Sequence, residues 1–520
     1  MSDQEIELKL RVAPEDLPRL KELPPLAGAR ATSKQLESVY FDTPDLRLRG
    51  RAVTLRVRRS GSRFLQTVKS APGAAGTALV RSEWEVPVGG PDPDLSALPA
   101  EALAALGPLD AAEVRPVFAS HVKRSVRVIG AGDGTEVEVA VDQGELRTPD
   151  GRTLPLAEIE LELKRGTDTR ALYDLALALN EALPLRIEPR AKSDRGYDLA
   201  AGTRVTWSKA GSLELSPDET VEEALGGIVR HCLDHLVANE ACALAGNEPE
   251  GIHQMRVALR RLRSALSTFR DVIPGPQAAV LGPEVKWLAD AFGPARDWDV
   301  FLTETMAPAA EAFPGDPALA ALSAAGERAR AQGYVRAREA ILSPRYTALL
   351  LKLGAWVDGR GWRDQAVSEQ SSRLFEPVTG FADAMLAKRH RQARKRGRHF
   401  ARLDAEARHQ LRITLKKLRY AAEFFRALYP AKPVRRYLKE LAALQEALGH
   451  LNDVATVAKL VRQLEAEPEA PAGWSLGAGI VLGWRARGLA DLEPELVRDW
   501  EAFADAEPFW TAATAAGNRD

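Results

Sequence analysis

Cysteine is nearly absent from this chain, with only Cys232 and Cys242 among 520 residues. A disulfide framework is therefore excluded, and no Cys or His falls at a zinc-ligand spacing. A reduced pair in a cytoplasmic protein is the expectation. A surplus of one charge is missing too: 71 Lys+Arg face 72 Asp+Glu, for a formal net charge of −1. No global field draws the protein to nucleic acid or membrane, so electrostatic function must be local, and no specific nucleic-acid partner is expected. The longest apolar run, near Trp474–Trp484, falls short of the roughly 20 residues that span a bilayer, so no membrane segment is expected. The chain enters a charged stretch within its first residues, so no signal peptide is expected either. Nor is there a Ser-His-Asp set, a Gly-rich nucleotide loop or a metal-binding histidine pair. What is present, 45% hydrophobic and 28% charged, is a globular composition. The length suffices for roughly two to four domains.

Charge is patterned rather than massed. Glu5-Ile6-Glu7-Leu8-Lys9-Leu10 alternates, so a strand would place Glu5, Glu7 and Lys9 on one face and Ile6, Leu8 and Leu10 on the other. Two carboxylates about 7 Å apart beside a lysine suit a divalent cation together with an anion. Any half-buried antiparallel strand alternates in the same way, so the stretch alone leaves both readings open. The pattern recurs, however. Arg56 and Arg58 oppose Leu55 and Val57; Arg81, Glu83 and Glu85 align; Glu136, Glu138 and Asp142 share a face; Glu158, Glu160, Glu162 and Lys164 repeat the opening theme. Strands closed into a barrel would turn one face inward and gather acids and bases in one cavity. Helical inserts near Pro14–Leu23, Leu98–Leu106 and Thr169–Leu183 make this an α+β domain.

Beyond residue 203 the period becomes helical, after a linker placed at 204–217. The helical part, 218–510, contains a duplication, with repeats around 218–370 and 371–510. His253, Arg256, Arg260, Arg261 and Arg263 correspond to His409, Arg412, Lys416, Lys417 and Arg419 at an offset of 156, and Gly293 and Asp297 to Gly449 and Asp453. On a helix, His253, Arg256, Arg260 and Arg263 fall within roughly 80°, with Met255, Leu259 and Leu262 opposite. His409, Arg412, Lys416 and Arg419 repeat that stripe. Like charges four residues apart destabilise an isolated helix by a few tenths of a kcal/mol per pair, so two such stripes imply a polyanion or acids on neighbouring helices. A third basic tract, Lys388–His399, reads as solvated surface or as an extension of the same patch.

The first half resembles the CYTH family, the triphosphate tunnel metalloenzymes. The resemblance rests on Glu5-x-Glu7-x-Lys9, Tyr40-Phe41-Asp42-Thr43-Pro44, Leu55–Arg59, Thr67-Val68-Lys69, Arg81-x-Glu83-x-Glu85, Phe118 with Arg124, Val141–Gly144, Glu158–Lys164 and Lys192-x-x-Arg195-Gly196-Tyr197, in order over roughly 1–203. One departure is Ala191, where the family often has serine before the lysine. The second half resembles the CHAD domain, the conserved-histidine α-helical domain, on its two histidine helices and two Gly/Asp segments. The order of modules is similar to that of bacterial inorganic triphosphatases carrying both.

These resemblances imply an eight-stranded antiparallel tunnel with peripheral helices, followed by an all-α bundle with a two-fold internal repeat around a basic groove. They imply inorganic triphosphate as substrate and inorganic polyphosphate as ligand of the bundle. Lys9, Arg56, Arg58, Lys69, Arg81, Arg124 and Lys192 are then the phosphate-holding catalytic set. Glu5, Glu7, Glu83, Glu85, Asp142, Glu160 and Glu162 are the metal set, numerous enough for one or two Mg²⁺ or Mn²⁺ ions. His253, Arg256, Arg260, Arg263, His409, Arg412, Lys416 and Arg419 are the polyphosphate set. Two alternatives stay open: the same tunnel as an adenylate cyclase or a nucleoside or thiamine triphosphatase, and a non-catalytic polyphosphate-binding protein. Oligomeric state is not legible.

Overall fold

The alternating segments pair as their period requires. The computed structural model describes residues 6–70, 74–75, 78–79, 82–132, 134–364, 368–465 and 471–510, with backbone alone at 74–75, 78–79, 450–455 and 489–491. Eight longer strands form one antiparallel sheet: β1 (Glu7–Arg11), β2 (Thr32–Asp42), β3 (Val53–Ser60), β4 (Arg63–Ser70), β5 (Ser82–Val88), β6 (Arg115–Gly130), β7 (Glu136–Arg147) and β8 (Thr153–Arg165). Their order is β1-β8-β7-β6-β2-β3-β4-β5, with two-residue strands at Ala74–Ala75, Ala78–Leu79 and Arg186–Ile187 on the β1 side. Among the described residues no pairing joins β5 to that side, so the expected closed barrel is an open sheet here. Alternation sets which face a residue takes, and carries no information about edge closure. The β3–β4 hairpin turns on Gly61-Ser62, with Gly61 at φ 64, the left-handed conformation a two-residue turn demands.

Contacts divide the chain into Met1–Thr206 with Ile341–Gly361, and Trp207–Ala340 with Trp362–Asp520. In the first unit, helix α1 (Arg170–Ala182) buries Leu172, Tyr173, Ala176 and Leu179 and packs on β1 and β8, whose Leu8, Leu10, Ile159 and Leu161 are buried. The opposite, charged face of the sheet is capped at one end by helix α2 (Lys192–Ala201). There Tyr197 joins Tyr40, Phe118, Val122, Leu146 and Leu156 in an apolar cluster. Gly196 is required at this contact, because a Cβ would lie 2.1 Å from the Phe118 ring.

The second unit is helical: α3 (Val221–Ala238), α4 (Glu250–Phe269), α5 (Pro276–Ala291), α6 (Gly293–Val300), α7 (Pro317–Leu342), then α9 (Val378–Arg396), α10 (Ala405–Phe425), α11 (Ala431–Leu464) and α12 (Trp474–Asp505). The intervening α8 (Pro344–Asp358) belongs to the first unit. There Asn180 Nδ2 donates to Pro344 O at 2.9 Å and Tyr173 donates to Asp358. The duplication is structural. Adding 156 to the first residues of α3, α4 and α7 gives 377, 406 and 473, and their counterparts start at 378, 405 and 474. The repeats meet reciprocally: Val221 N donates to Glu376 O at 3.0 Å and Val378 N to Glu219 O at 2.9 Å, the i-to-j and j-to-i pairing of a two-fold axis. Helices α4 and α10 pack against each other beside it. Ser208 is anchored to Asn239 by two hydrogen bonds of 2.9 Å, and Leu213 and Leu215 are buried, so part of the 204–217 segment is docked. Among the described residues no helix is long and apolar enough to cross a membrane.

Candidate functional site

Burial decides which way the alternating charges point. Glu7 and Lys9 are 7% and 6% exposed, so the charged face of β1 lies inside, where bulk water does not compensate it. The register sets Lys9 opposite Glu160, and Arg11, Glu158, Asp142 and Arg124 in one row across four strands. Helix α2 adds Lys192 from above. Asp194 reaches back to the Ala191 N–H at 3.0 Å and orders the first turn, so the lysine's placement does not depend on a hydroxyl at 191.

Lys192 Nζ stands among three carboxylates, 2.7 Å from Asp142 Oδ2, 2.7 Å from Glu160 Oε1, and against Glu158. Arg124 grips Asp142 with two hydrogen bonds of 2.8 and 2.6 Å and reaches Glu160 at 2.5 Å. Burial disfavours the Glu160 charge, yet Lys192, Arg124 and Lys9 hold this carboxyl well below its usual range. Asp142 is likewise lowered against burial, chiefly by Lys192 and Arg124. Burial also opposes the charge on Lys192, and Glu160, Glu158 and Asp142 raise its pKa above the ordinary value. Asp142, Glu158 and Glu160 each bring one oxygen within 4.8 Å of the others. Glu158 Oε1 is buried and lacks a hydrogen bond of good geometry. An oxygen-only donor set of this spread fits a hard divalent cation.

A second group faces the same interior. Arg56 lies 3.5 Å from Glu83 and Lys69 Nζ 2.8 Å from the same carboxylate, while Thr67 donates to Glu85 at 3.2 Å. Tyr40 stacks on Phe118 at 4.4 Å. Burial would raise the Tyr40 pKa, but Arg56, Arg58 and Lys192 lower it, which ties the two groups together. Arg58 hydrogen-bonds only Ser38, at 3.4 Å, and no carboxylate pairs with it among the described residues. Burial first, then Arg56 and Arg124, bring its pKa down to about 10: cationic at neutral pH and short of negative charge.

In the helical unit, α4 and α10 present the two stripes. Arg256 contacts Asp297 at 3.7 Å and Ala289 O at 3.1 Å. The pseudo-equivalent glycines lie against pseudo-equivalent arginines: an added Cβ at Gly293 would be 3.3 Å from Arg256, and one at Gly449 4.0 Å from Arg412. His253 is half-buried, and burial followed by Arg296 lowers its pKa to about 4. Arg256 Nε and Arg260 Nε are buried without hydrogen-bond partners.

A family model for the CYTH domain matches residues 3–197, and one for the CHAD domain matches residues 227–462. The crystal structure of the CHAD domain from the plant Ricinus communis is 35% identical to this chain, covering 57% of it and 97% of the plant chain, with a TM-score of 0.50. The chain belongs to the CHAD family and carries a CYTH domain ahead of its CHAD domain. An uncharacterized protein of Mycobacterium tuberculosis (strain H37Rv) is 27% identical over 464 residues, 84% of this chain and 83% of that protein. The structure of a putative adenylyl cyclase from Hippeastrum, titled as revealing a dominant triphosphatase activity, is similar over 37% of this chain and 95% of its own, at 18% identity and a TM-score of 0.30.

Within the CYTH unit, Lys9, Arg124, Lys192, Asp142 and Glu160 come together, and Arg56, Arg58 and Lys69 form the second group with Glu83 beside them. Glu7 contacts Lys9 at 2.5 Å, and Glu162 contacts Lys164 at 2.5 Å, away from the three-carboxylate cluster. Glu5 and Arg81 lie outside the described residues. Glu158 was missed, although it alternates in step with Glu160 and Glu162, and that step was the available signal. Arg195, which contacts Glu158, sits inside the same Lys192–Tyr197 motif. In the CHAD unit, Arg263 and His409 are exposed, while Arg419 turns from the stripe to Glu423 at 2.8 Å. The side chain of Asp453 lies outside the described residues.

Proposed function

We propose that this protein is a metal-dependent inorganic triphosphatase, hydrolysing tripolyphosphate to pyrophosphate and phosphate, with a CHAD unit that binds inorganic polyphosphate. The observation that carries this reading is the self-compensated interior of the CYTH unit, where buried acids and bases pair with one another around an unpaired Arg58. A metal–triphosphate complex offers both signs at once. Its phosphates would take Lys9, Arg124 and Lys192 from the carboxylates and would meet Arg58, while Asp142, Glu158 and Glu160 would hold Mg²⁺ or Mn²⁺. Neither ligand alone can do this without leaving opposite charges buried and unpaired, at about 3–5 kcal/mol for each broken pair. Bound there, the cation would neutralise phosphate charge and acidify water. The protein's cations orient the phosphate chain and stabilise charge that develops on the leaving oxygen. A cytoplasmic location fits two unpaired, buried cysteines.

Phosphorus NMR of products tests the catalytic half. Pyrophosphate and phosphate in equal amounts from tripolyphosphate, dependent on Mg²⁺ or Mn²⁺, support it; cyclic AMP from ATP as the main product would refute it. For the CHAD half, joint substitution of Arg256, Arg260, Arg412 and Lys416 by Ala is expected to abolish retention on immobilised polyphosphate while sparing triphosphatase activity. Retention unchanged by the substitutions and by salt would remove the stripes from the site.

A further inference from the structure

Arg261 lies outside the stripe that contains Arg260, about 100° away around α4. Its guanidinium lies 5.8 Å from the Phe424 ring, and its Nε is buried without a hydrogen-bond partner. With Arg419 and Arg426 it lines a cavity of about 260 Å³ in the helical unit, bounded also by Glu423, Leu438 and the docked segment at 210–213. Glu423 is the single acid of this lining and is engaged by Arg419 at 2.8 Å. No carboxylate pairs with Arg261 or Arg426 among the described residues. Both act on His231, whose pKa is brought down to about 4, by burial first and then by Arg261.

The repeat marks this as more than a chance grouping of arginines. The offset of 156 carries Arg261 onto Lys417, and carries Arg263 and Arg270 onto Arg419 and Arg426. The two-fold axis therefore generates a second trio, Lys417 with Arg263 and Arg270. Its members are close enough that Lys417 has a lowered pKa, from burial first and then from Arg389, Arg396, Arg270 and Arg263. The segment at 210–213 lines the first trio's cavity.

We propose that the first trio's cavity is a separate binding site for a short phosphoanhydride of the pyrophosphate class. Three guanidiniums against one engaged carboxylate select a compact, multiply charged oxyanion, which arginine forks hold in bidentate fashion. The volume lies below the roughly 300–1,000 Å³ of drug-sized pockets, which suits one or two phosphate groups rather than a chain.

Amide hydrogen exchange of residues 208–215, measured on the full chain in EDTA, tests the site independently of catalysis and of the stripes. The starting point is defined, because the Ser208 N–H is held by Asn239 at 2.9 Å. Saturating pyrophosphate is expected to slow these amides by about ten-fold or more, since the anion must leave before the segment opens. Arg261→Ala/Arg426→Ala should lose that response and leave the exchange of strand β8 (Thr153–Arg165) as in the wild type. If the double variant unfolds, Arg426→Gln, at an exposed position, should weaken the response about as much as one lost charged hydrogen bond allows, some ten-fold in affinity. No slowing in the wild type overturns the proposal. So does slowing that survives the double substitution, or slowing by long-chain polyphosphate alone.

Discussion

Lys192→Met removes the ammonium from among Asp142, Glu158 and Glu160 and keeps the side chain's length. Its contacts at 2.7 Å to Asp142 and Glu160 disappear, leaving Arg124, Lys9 and Arg195 to face three buried carboxylates. Breaking a buried ion pair on one side costs about 3–5 kcal/mol. For a unit of some two hundred residues, each kcal/mol moves the transition by roughly 2–4 °C, so the CYTH unit should melt about 6–20 °C lower in EDTA. A divalent cation can take the ammonium's place, and at 100 times its dissociation constant it returns about 2.7 kcal/mol. The wild type gains less from metal alone, because Lys192 competes for the same oxygens. Differential scanning calorimetry of both proteins in EDTA, Mg²⁺ and Mn²⁺ reads all six states. Activity on tripolyphosphate should fall about 10²-fold or more even with metal, the usual loss when one charge-stabilising donor is removed. A variant that melts with the wild type in EDTA, or that gains no more from metal than the wild type, refutes the description of Lys192 as a built-in counter-cation.

Two further outcomes concern protons. Glu160 and Asp142 have folded pKa values below their ordinary 4.5 and 3.8, so the unfolded chain binds their protons more readily and the CYTH unit gains stability as pH rises. That stability is present above about 4.5 and is lost as pH falls through the lowered values; Glu160→Gln should flatten the acid limb of a urea-midpoint profile, and an unchanged limb would count against the pairing. His253 is held neutral, with its pKa lowered to about 4, so a polyanion docking beside it should draw a proton onto the ring and bind more tightly as pH drops from 6.5 toward 4. Fluorescence anisotropy of labelled polyphosphate should show this rise, and His253→Gln should remove it; a pH-independent wild type would separate His253 from the bound anion.

Much of the architecture was legible because it depends on period. The five alternating segments fall on β1, β3, β5, β7 and β8, and the helical inserts near 98–106 and 169–183 formed at Ala100–Leu106 and Arg170–Ala182. The offset of 156 turned into a two-fold axis because homologous helices that bury the same faces dock in the same way. Closure of the sheet was not legible, since it depends on which edges meet. Helix α8 reads as part of the helical run, yet its partners Tyr173 and Asn180 lie some 170 residues upstream, beyond the reach of periodicity. In the site, alternation named the face, but register chose the neighbours. Glu158 gained its place by lying opposite both Arg11 and Asp142, whereas Glu83 was drawn to Arg56 on β3 and Lys69 on β4, three and four strands along the sheet from Asp142. Arg261, matched to Lys417 by the repeat, stayed outside the polyphosphate set because it lies off the stripe that its neighbours define.

The central claim is that the paired acids and bases of the CYTH interior await a metal–triphosphate complex. Its most direct test is the calorimetric affinity of a non-hydrolysable triphosphate analogue with and without Mg²⁺ or Mn²⁺. Coupling of about 3 kcal/mol or more between the two ligands, equivalent to roughly 150-fold tighter analogue binding with metal, is the predicted result. Equal affinity in EDTA and in metal would contradict it.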